Sequence, residues 1–176
     1  MTEELDKTLG ALKYAIQMEI DGKAYYLKAS EQSSNDMGKK LLKSLAEEED
    51  IHLKKFQQIY DALSRKQGWP AVEYHEDDGK ALKTIFARES EKPGTIASGS
   101  TKELEAVQGA INMEVKSYDY YTAHGKKATG NTERAFFGAL AAQERHHQLV
   151  LLDYYEYLKD PAAYFVEKEH HSLDGG

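Results

Sequence analysis

The sequence predicts an all-α fold: an antiparallel four-helix bundle made of two helical hairpins joined by a long crossover that contains a short helix. Three observations carry that expectation. Prolines occur only at positions 70, 93 and 161, so they punctuate long stretches instead of breaking them. Within those stretches apolar residues recur in alternating steps of three and four, the period of one helix face. The chain also repeats itself. Moved by 95 residues, Ala11, Ala15, Ile16, Met18, Glu19, Tyr25 and Tyr26 fall on Ala106, Ala110, Ile111, Met113, Glu114, Tyr120 and Tyr121. The same shift carries Leu45, Ala46, Glu49, His52 and Tyr60 onto Leu140, Ala141, Glu144, His147 and Tyr155.

The first helix is expected over 3–32, ending before Ser33-Ser34-Asn35-Asp36. Asp36 is the expected cap of a second helix that runs to about Lys66 and stops at Gly68-Trp69-Pro70. Residues 67–99 form the crossover, with a short helix near 78–88 followed by Lys92-Pro93-Gly94. Ser100 and Glu103 have the spacing of a capping box and open a third helix that reaches about Ala128. Gly130-Asn131-Thr132 separates it from a fourth helix that ends before Asp160-Pro161, and residues 161–176 are left as a tail. The bundle is therefore assigned to 1–160. Short turns within each pair and more than 30 residues between the pairs give the connectivity of ferritin-like bundles. A bundle of two similar hairpins has approximate two-fold symmetry, and a site at its centre receives the same side chains twice.

Composition narrows the chemistry. Of the 176 residues, 40% are hydrophobic and 30% charged, a globular balance rather than a disordered one. A net charge of -7 argues against nucleic acid and anionic membranes as partners. No apolar run approaches the ~20 residues of a membrane span. Met1 to Lys7 is acidic and polar and lacks the pattern of a signal peptide, so the cytoplasm is the expected compartment. There is no cysteine, which removes disulfides, thiolate nucleophiles and cysteine-held metal from consideration. A metal site here must use His, Asp and Glu, which suit iron, manganese or zinc.

The second helix carries a seam of Leu42, Leu45, Glu49, His52, Phe56, Ile59 and Leu63, and the fourth carries Phe137, Leu140, Glu144, His147, Leu151, Tyr154 and Leu158. Each is apolar except for a Glu-x-x-His at its middle, and residues three apart share a face. The first and third helices add Leu12, Ala15, Glu19, Gly22, Tyr26 and Val107, Ala110, Glu114, Ser117, Tyr121. Each of these places one Glu among small neighbours, with a Tyr two turns on. A single Glu-x-x-His on a helix carries little information. Two of them in apolar seams, at equivalent positions of a repeat, each with a Glu 30 residues upstream, are specific.

Four carboxylates and two imidazoles in one core are very costly unpaired. Two divalent ions balance the four carboxylates, with the imidazoles as neutral ligands. The candidate metal ligands are thus Glu19, Glu49, His52, Glu114, Glu144 and His147, the layout of ferritin-like two-metal carboxylate sites. Tyr26 and Tyr121 are placed to donate hydrogen bonds to ligand carboxylates. Glu47, Glu48 and Asp50 point off the seam and read as a solvated face. His146 lies about 100° around the helix from His147. Tyr25 and Tyr120 read as packing residues, and His75, His124, His170 and His171 as surface ones.

The segments AIQMEIDGKAYY, LAEEEDIHLKKF, AINMEVKSYDYY and LAAQERHHQLVLL, which carry these residues, resemble rubrerythrin over roughly 5–160. The resemblance implies a non-haem di-iron centre, reduction of hydrogen peroxide and defence against oxidative stress. It implies bridging roles for Glu49 and Glu144, and terminal roles for Glu19, Glu114, His52 and His147. Two departures are visible. The four cysteines of a rubredoxin-like site are absent, so electrons are expected from an external donor such as a rubredoxin or a reductase. Ser117 stands where such proteins carry an additional Glu one turn after the third helix's ligand. A ferroxidase or iron-handling protein and a di-iron oxygenase are the alternatives, with dioxygen in place of peroxide. A homodimer is the expected assembly.

Overall fold

The computed structural model describes residues 3–72, 82, 88 and 99–164. Among these there is no strand, and four long helices form the bundle: α1 (Glu3–Gln32), α2 (Asp36–Ser64), α3 (Thr101–Lys127) and α4 (Asn131–Lys159). The helices pack most extensively as α1 on α2 and α3 on α4, so the unit of construction is the hairpin. All seven residues of the α2 seam are buried, as are all seven of the α4 seam. Two apolar clusters fill the bundle on either side of the polar centre. One is built on Met37, Leu41, Leu45, Val107, Val150 and Leu151, the other on Leu12, Phe56, Ile59, Phe137 and Leu140.

The helix ends show local chemistry at work. Asn35, not Asp36, caps α2: its backbone is extended (φ -100, ψ 124) and its side chain accepts from the N–H groups of Met37 and Gly38. Asp36 becomes the first helical residue, where its charge suits the positive end of the helix dipole. The helix then closes at Ser64, two residues earlier than expected. Lys66 enters the left-handed region (φ 59), and Gly68 follows at φ 79, a conformation glycine adopts without strain. Ser100 caps α3 by accepting from the Glu103 N–H at 3.2 Å. The Glu103 carboxylate does not complete the capping box. It turns into the bundle end and accepts hydrogen bonds from Ser33, Ser34 and Tyr154. After α4, Asp160 breaks the helix, and its side chain accepts from the Ala163 N–H at 3.0 Å to start one more turn. That turn sets Tyr164 edge-on against Tyr157.

Hydrogen bonds between the hairpins show the repeat as symmetry. The Tyr25 hydroxyl donates to the Ala106 carbonyl at 2.7 Å, and its repeat equivalent Tyr120 donates to the Ala11 carbonyl at 3.0 Å. These crossed bonds run α1 and α3 in opposite directions. A cavity of about 530 Å³ gathers Leu5, Leu63, His124 and Phe137. The start of α1, the end of α2, the end of α3 and the start of α4 therefore share one end of the bundle. The end of α1 and the start of α3 meet at the other, through Ser33 and Glu103. The chain leaves α2 at one end and enters α3 at the opposite one, a span of roughly 40 Å for helices of this length. That is the work expected of the crossover. Its predicted short helix near 78–88 lies outside the described residues, apart from Leu82, which is buried in the core, and Arg88.

Candidate metal centre

The four seams meet at mid-bundle, and the six candidate residues converge there. Glu19, Glu49, His52, Glu114, Glu144 and His147 are each no more than 4% exposed. The two imidazoles lie nearly parallel across the centre, 5.7 Å apart. His52 Nδ1 faces Glu19 Oε2 at 3.2 Å, Glu144 Oε1 at 3.3 Å and Glu49 Oε2 at 3.6 Å. His147 Nδ1 faces Glu114 Oε1 at 3.6 Å, Glu49 Oε1 at 3.7 Å and Glu144 Oε2 at 3.9 Å. Glu49 and Glu144 thus present one oxygen to each imidazole, whereas Glu19 and Glu114 each face only one. Two overlapping donor sets result, Glu19–Glu49–His52–Glu144 and Glu49–Glu114–Glu144–His147, each with atoms within 4.8 Å of one another.

The electrostatics of this cluster are those of a core short of positive charge. Burial raises Glu49 well above the ordinary carboxyl range, and the charges of Glu19 and Glu144 add to it. Burial and the charge of Glu114 do the same to Glu144. Burial also pushes Glu19 and Glu114 upward. It is outweighed by the neighbouring Glu49 carboxyl and the charge of His52 at Glu19, and by the charge of His147 at Glu114, so both carboxyls fall below the usual value. Burial lowers the imidazoles, but facing carboxylates win: Glu19 raises His52 well above its ordinary value, and Glu114 carries His147 to about 10. Without metal, the centre is thus driven to hold extra protons against its own negative charge. Glu114 Oε2, Glu144 Oε1 and His147 Nδ1 are nevertheless buried without a hydrogen-bond partner. Once deprotonated, these atoms would offer lone pairs to a pair of divalent cations, whose charge would offset that of the four glutamates.

The supporting side chains cross between hairpins. Tyr26 on α1 donates to Glu114 on α3, and Tyr121 on α3 donates to Glu19 on α1. Burial and the adjacent carboxylates raise both phenols well above the ordinary range, so both keep their protons. Gly22 leaves room beside Glu49, whose carboxyl carbon sits 3.6 Å from where a Cβ would stand.

Two supporting residues escaped the sequence reading. His147 Nε2 donates to Glu48 Oε2 at 2.8 Å, and His52 Nε2 donates to Gln143 Oε1 at 2.7 Å. The assignment of a solvated face holds for Glu47 but not for Glu48, whose side chain is only 13% exposed. Asp50 spends its charge on Lys23 and Lys54. The 95-residue shift pairs Glu48 with Gln143, each immediately before a seam Glu, and that was the available signal. His146 belongs to neither donor set. His124 is half-buried rather than on the surface, 4.3 Å from the Tyr120 ring, and burial and Lys127 lower its pKa. His75, His170 and His171 lie outside the described residues.

A four-helix bundle holding four glutamates and two histidines in this arrangement has the buried residues that could hold metal, in the layout of two-metal carboxylate sites. The rubrerythrin family model matches residues 10–155, most of the chain and all six residues of the centre. The chain belongs to the rubrerythrin family. Neither the comparison with curated proteins nor that with solved structures finds a match. Among the described residues no helix is long and apolar enough to cross a membrane.

Proposed function

We propose that this protein is a non-haem di-iron oxidoreductase that reduces hydrogen peroxide with electrons from a separate donor protein. The observation that carries the reading is the double presentation of Glu49 and Glu144, one oxygen to each histidine, which would let both carboxylates serve two ions. Glu19 and His52 would complete one position, Glu114 and His147 the other. Two ferrous ions supply, when bound, the two electrons that cleavage of the peroxide O–O bond consumes. The chain's own residues set the conditions for that chemistry. The apolar clusters on both sides of the centre limit water. Tyr26 and Tyr121 fix the orientation of the terminal carboxylates, and their hydroxyl protons stay in place. With no cysteine in the sequence, the chain has no rubredoxin-like relay of its own. A rubredoxin or a reductase would return the centre to its ferrous state.

Ser117 favours a second reading, oxidation of Fe(II) by dioxygen for iron handling. It leaves the simpler six-residue donor set, without the additional Glu that the rubrerythrin resemblance associates with peroxide. An oxygenase reading needs an apolar chamber at the centre. The 530 Å³ cavity at the bundle end is lined by none of the six donors. The experiment mixes di-ferrous protein with each oxidant and follows the ferric absorbance, then adds NAD(P)H with and without a rubredoxin. Faster oxidation by peroxide, and turnover only with the added protein, is the expected result. A dioxygen rate well above the peroxide rate moves the assignment to iron oxidation. Turnover on NAD(P)H alone refutes the external donor.

A further inference from the structure

The two hairpins contribute identical donors to the centre, but they do not contribute identical support. Glu48 on α2 and Gln143 on α4 are equivalent under the repeat, and each reaches across the bundle to the histidine of the other hairpin. Each accepts the Nε2–H of that imidazole, so that when the ring is neutral, as a metal ligand must be, Nδ1 is the lone-pair nitrogen facing the carboxylates. The geometry is matched, with acceptors at 2.8 and 2.7 Å. The chemistry is not. His147 donates to a carboxylate and His52 to a neutral carboxamide. An acceptor carboxylate draws the Nε2 proton and makes Nδ1 more electron-rich, while an amide does so far less. It also puts a fifth negative charge beside one half of a centre whose four glutamates already balance two divalent ions.

We propose that Glu48 and Gln143 make the two metal positions unequal, so that the position on Glu114 and His147 fills first and holds its ion more tightly than the position on Glu19 and His52. The inference rests on the two-metal reading above but not on the oxidant. Histidine-orienting partners of this kind change metal affinity by about 10- to 100-fold. A difference of about tenfold or more between the two positions is therefore expected. Glu48 and Gln143 act through the imidazoles and are positioning residues, so the useful readout is the electronic environment of each ion.

The experiment loads metal-free protein anaerobically with isotopically enriched Fe(II) and records Mössbauer spectra at one and two equivalents. Wild type should show mainly one quadrupole doublet at one equivalent and a second doublet of equal area at two. Glu48→Gln gives both histidines an amide partner and should merge the doublets at both loadings, with first-ion affinity reduced about tenfold. Gln143→Glu gives both a carboxylate and should also merge them, at the parameters of the first wild-type doublet. It remains informative if Glu48→Gln folds poorly. Two doublets persisting in either variant, or even filling of both positions in wild type, overturns the inference and leaves the two-metal reading standing. Failure of wild type to take a second equivalent removes the two-metal reading and this inference with it.

Discussion

Two regions of this bundle bury carboxylates, and they do so in opposite ways. At the end where α1 meets α3, Glu103 is 7% exposed and receives hydrogen bonds from three hydroxyls, those of Ser33, Ser34 and Tyr154. No cation is required there, because every neighbour is a donor. At mid-bundle, four carboxyl groups and two imidazoles converge with too few donors for the carboxyl oxygens, and Glu114 Oε2 and Glu144 Oε1 are left without a partner. The difference separates a structural carboxylate from a candidate ligand. Burial alone does not mark a metal site. A surplus of acceptors with nothing to accept from does.

The contrast is most exposed to failure at Glu49 and Glu144. Replacing either with Ala should abolish binding of both ions, because each faces both positions, whereas Glu103→Ala should leave a stoichiometry of two. Metal analysis after gel filtration reads this directly. Retention of one tightly held ion in Glu49→Ala and in Glu144→Ala would mean that the two carboxylates do not bridge.

A smaller but continuous effect is expected with pH. Glu49, Glu144, His52 and His147 all have folded-state pKa values raised above their ordinary ones. The folded metal-free protein therefore binds more protons than the unfolded chain over the intervening range. Stability from the histidines is fully present below about 6.5 and is lost as pH rises toward the folded value, about 10 for His147. Stability from the two glutamic acids likewise falls as pH rises above about 4.3. Glu19 and Glu114 are lowered, so their contribution is lost only as pH falls below that value. The metal-free protein should thus melt at progressively lower temperature from pH 6 to pH 9. Metal displaces the protons, so the melting gap between loaded and metal-free protein should widen over the same range. Calorimetry at several pH values tests this, and a gap that narrows with pH contradicts the protonation scheme.

Glu103→Ala should cost about 1–3 kcal/mol in chemical denaturation, since the buried hydroxyls of Ser33 and Tyr154 lose this acceptor. An unchanged midpoint would show that the network at that end is dispensable. The smallest effect belongs to Tyr120→Phe, which removes one hydrogen bond to the Ala11 carbonyl and should cost about 1 kcal/mol without altering metal content. A loss of metal in that variant would show that the pins between α1 and α3 position the centre as well as the helices.

Much of this was legible in the sequence because helix periodicity maps residue spacing onto a face. The α2 and α4 seams are buried residue for residue, and the six central side chains stand in the seams of all four helices. What escaped depends on how one helix is offset against another. Glu48 looks solvated on its own helix, and only the antiparallel meeting of α2 and α4 brings it under His147. Glu103 has capping-box spacing, yet three hydroxyls from two other segments, the α1–α2 turn and α4, hold it away from the backbone N–H it was expected to reach. Asn35 and Asp36 are neighbouring capable caps, and nothing in the local pattern ranks them. The reach of Tyr26 and Tyr121 toward glutamates was foreseen, but the crossing to the other hairpin's glutamate was not.

The division of the donors between hairpins has a kinetic consequence. One hairpin owns Glu19, Glu49 and His52, the other Glu114, Glu144 and His147, and neither holds a complete position. The centre comes into existence only when the halves dock, and the chain between Ser64 and Thr101 converts that docking from an encounter into an intramolecular event. A tether of this kind sets an effective concentration on the order of millimolar. The segment therefore governs how readily the centre assembles. A chain cut between the hairpins would assemble its centre with a dependence on protein concentration that the intact chain does not have.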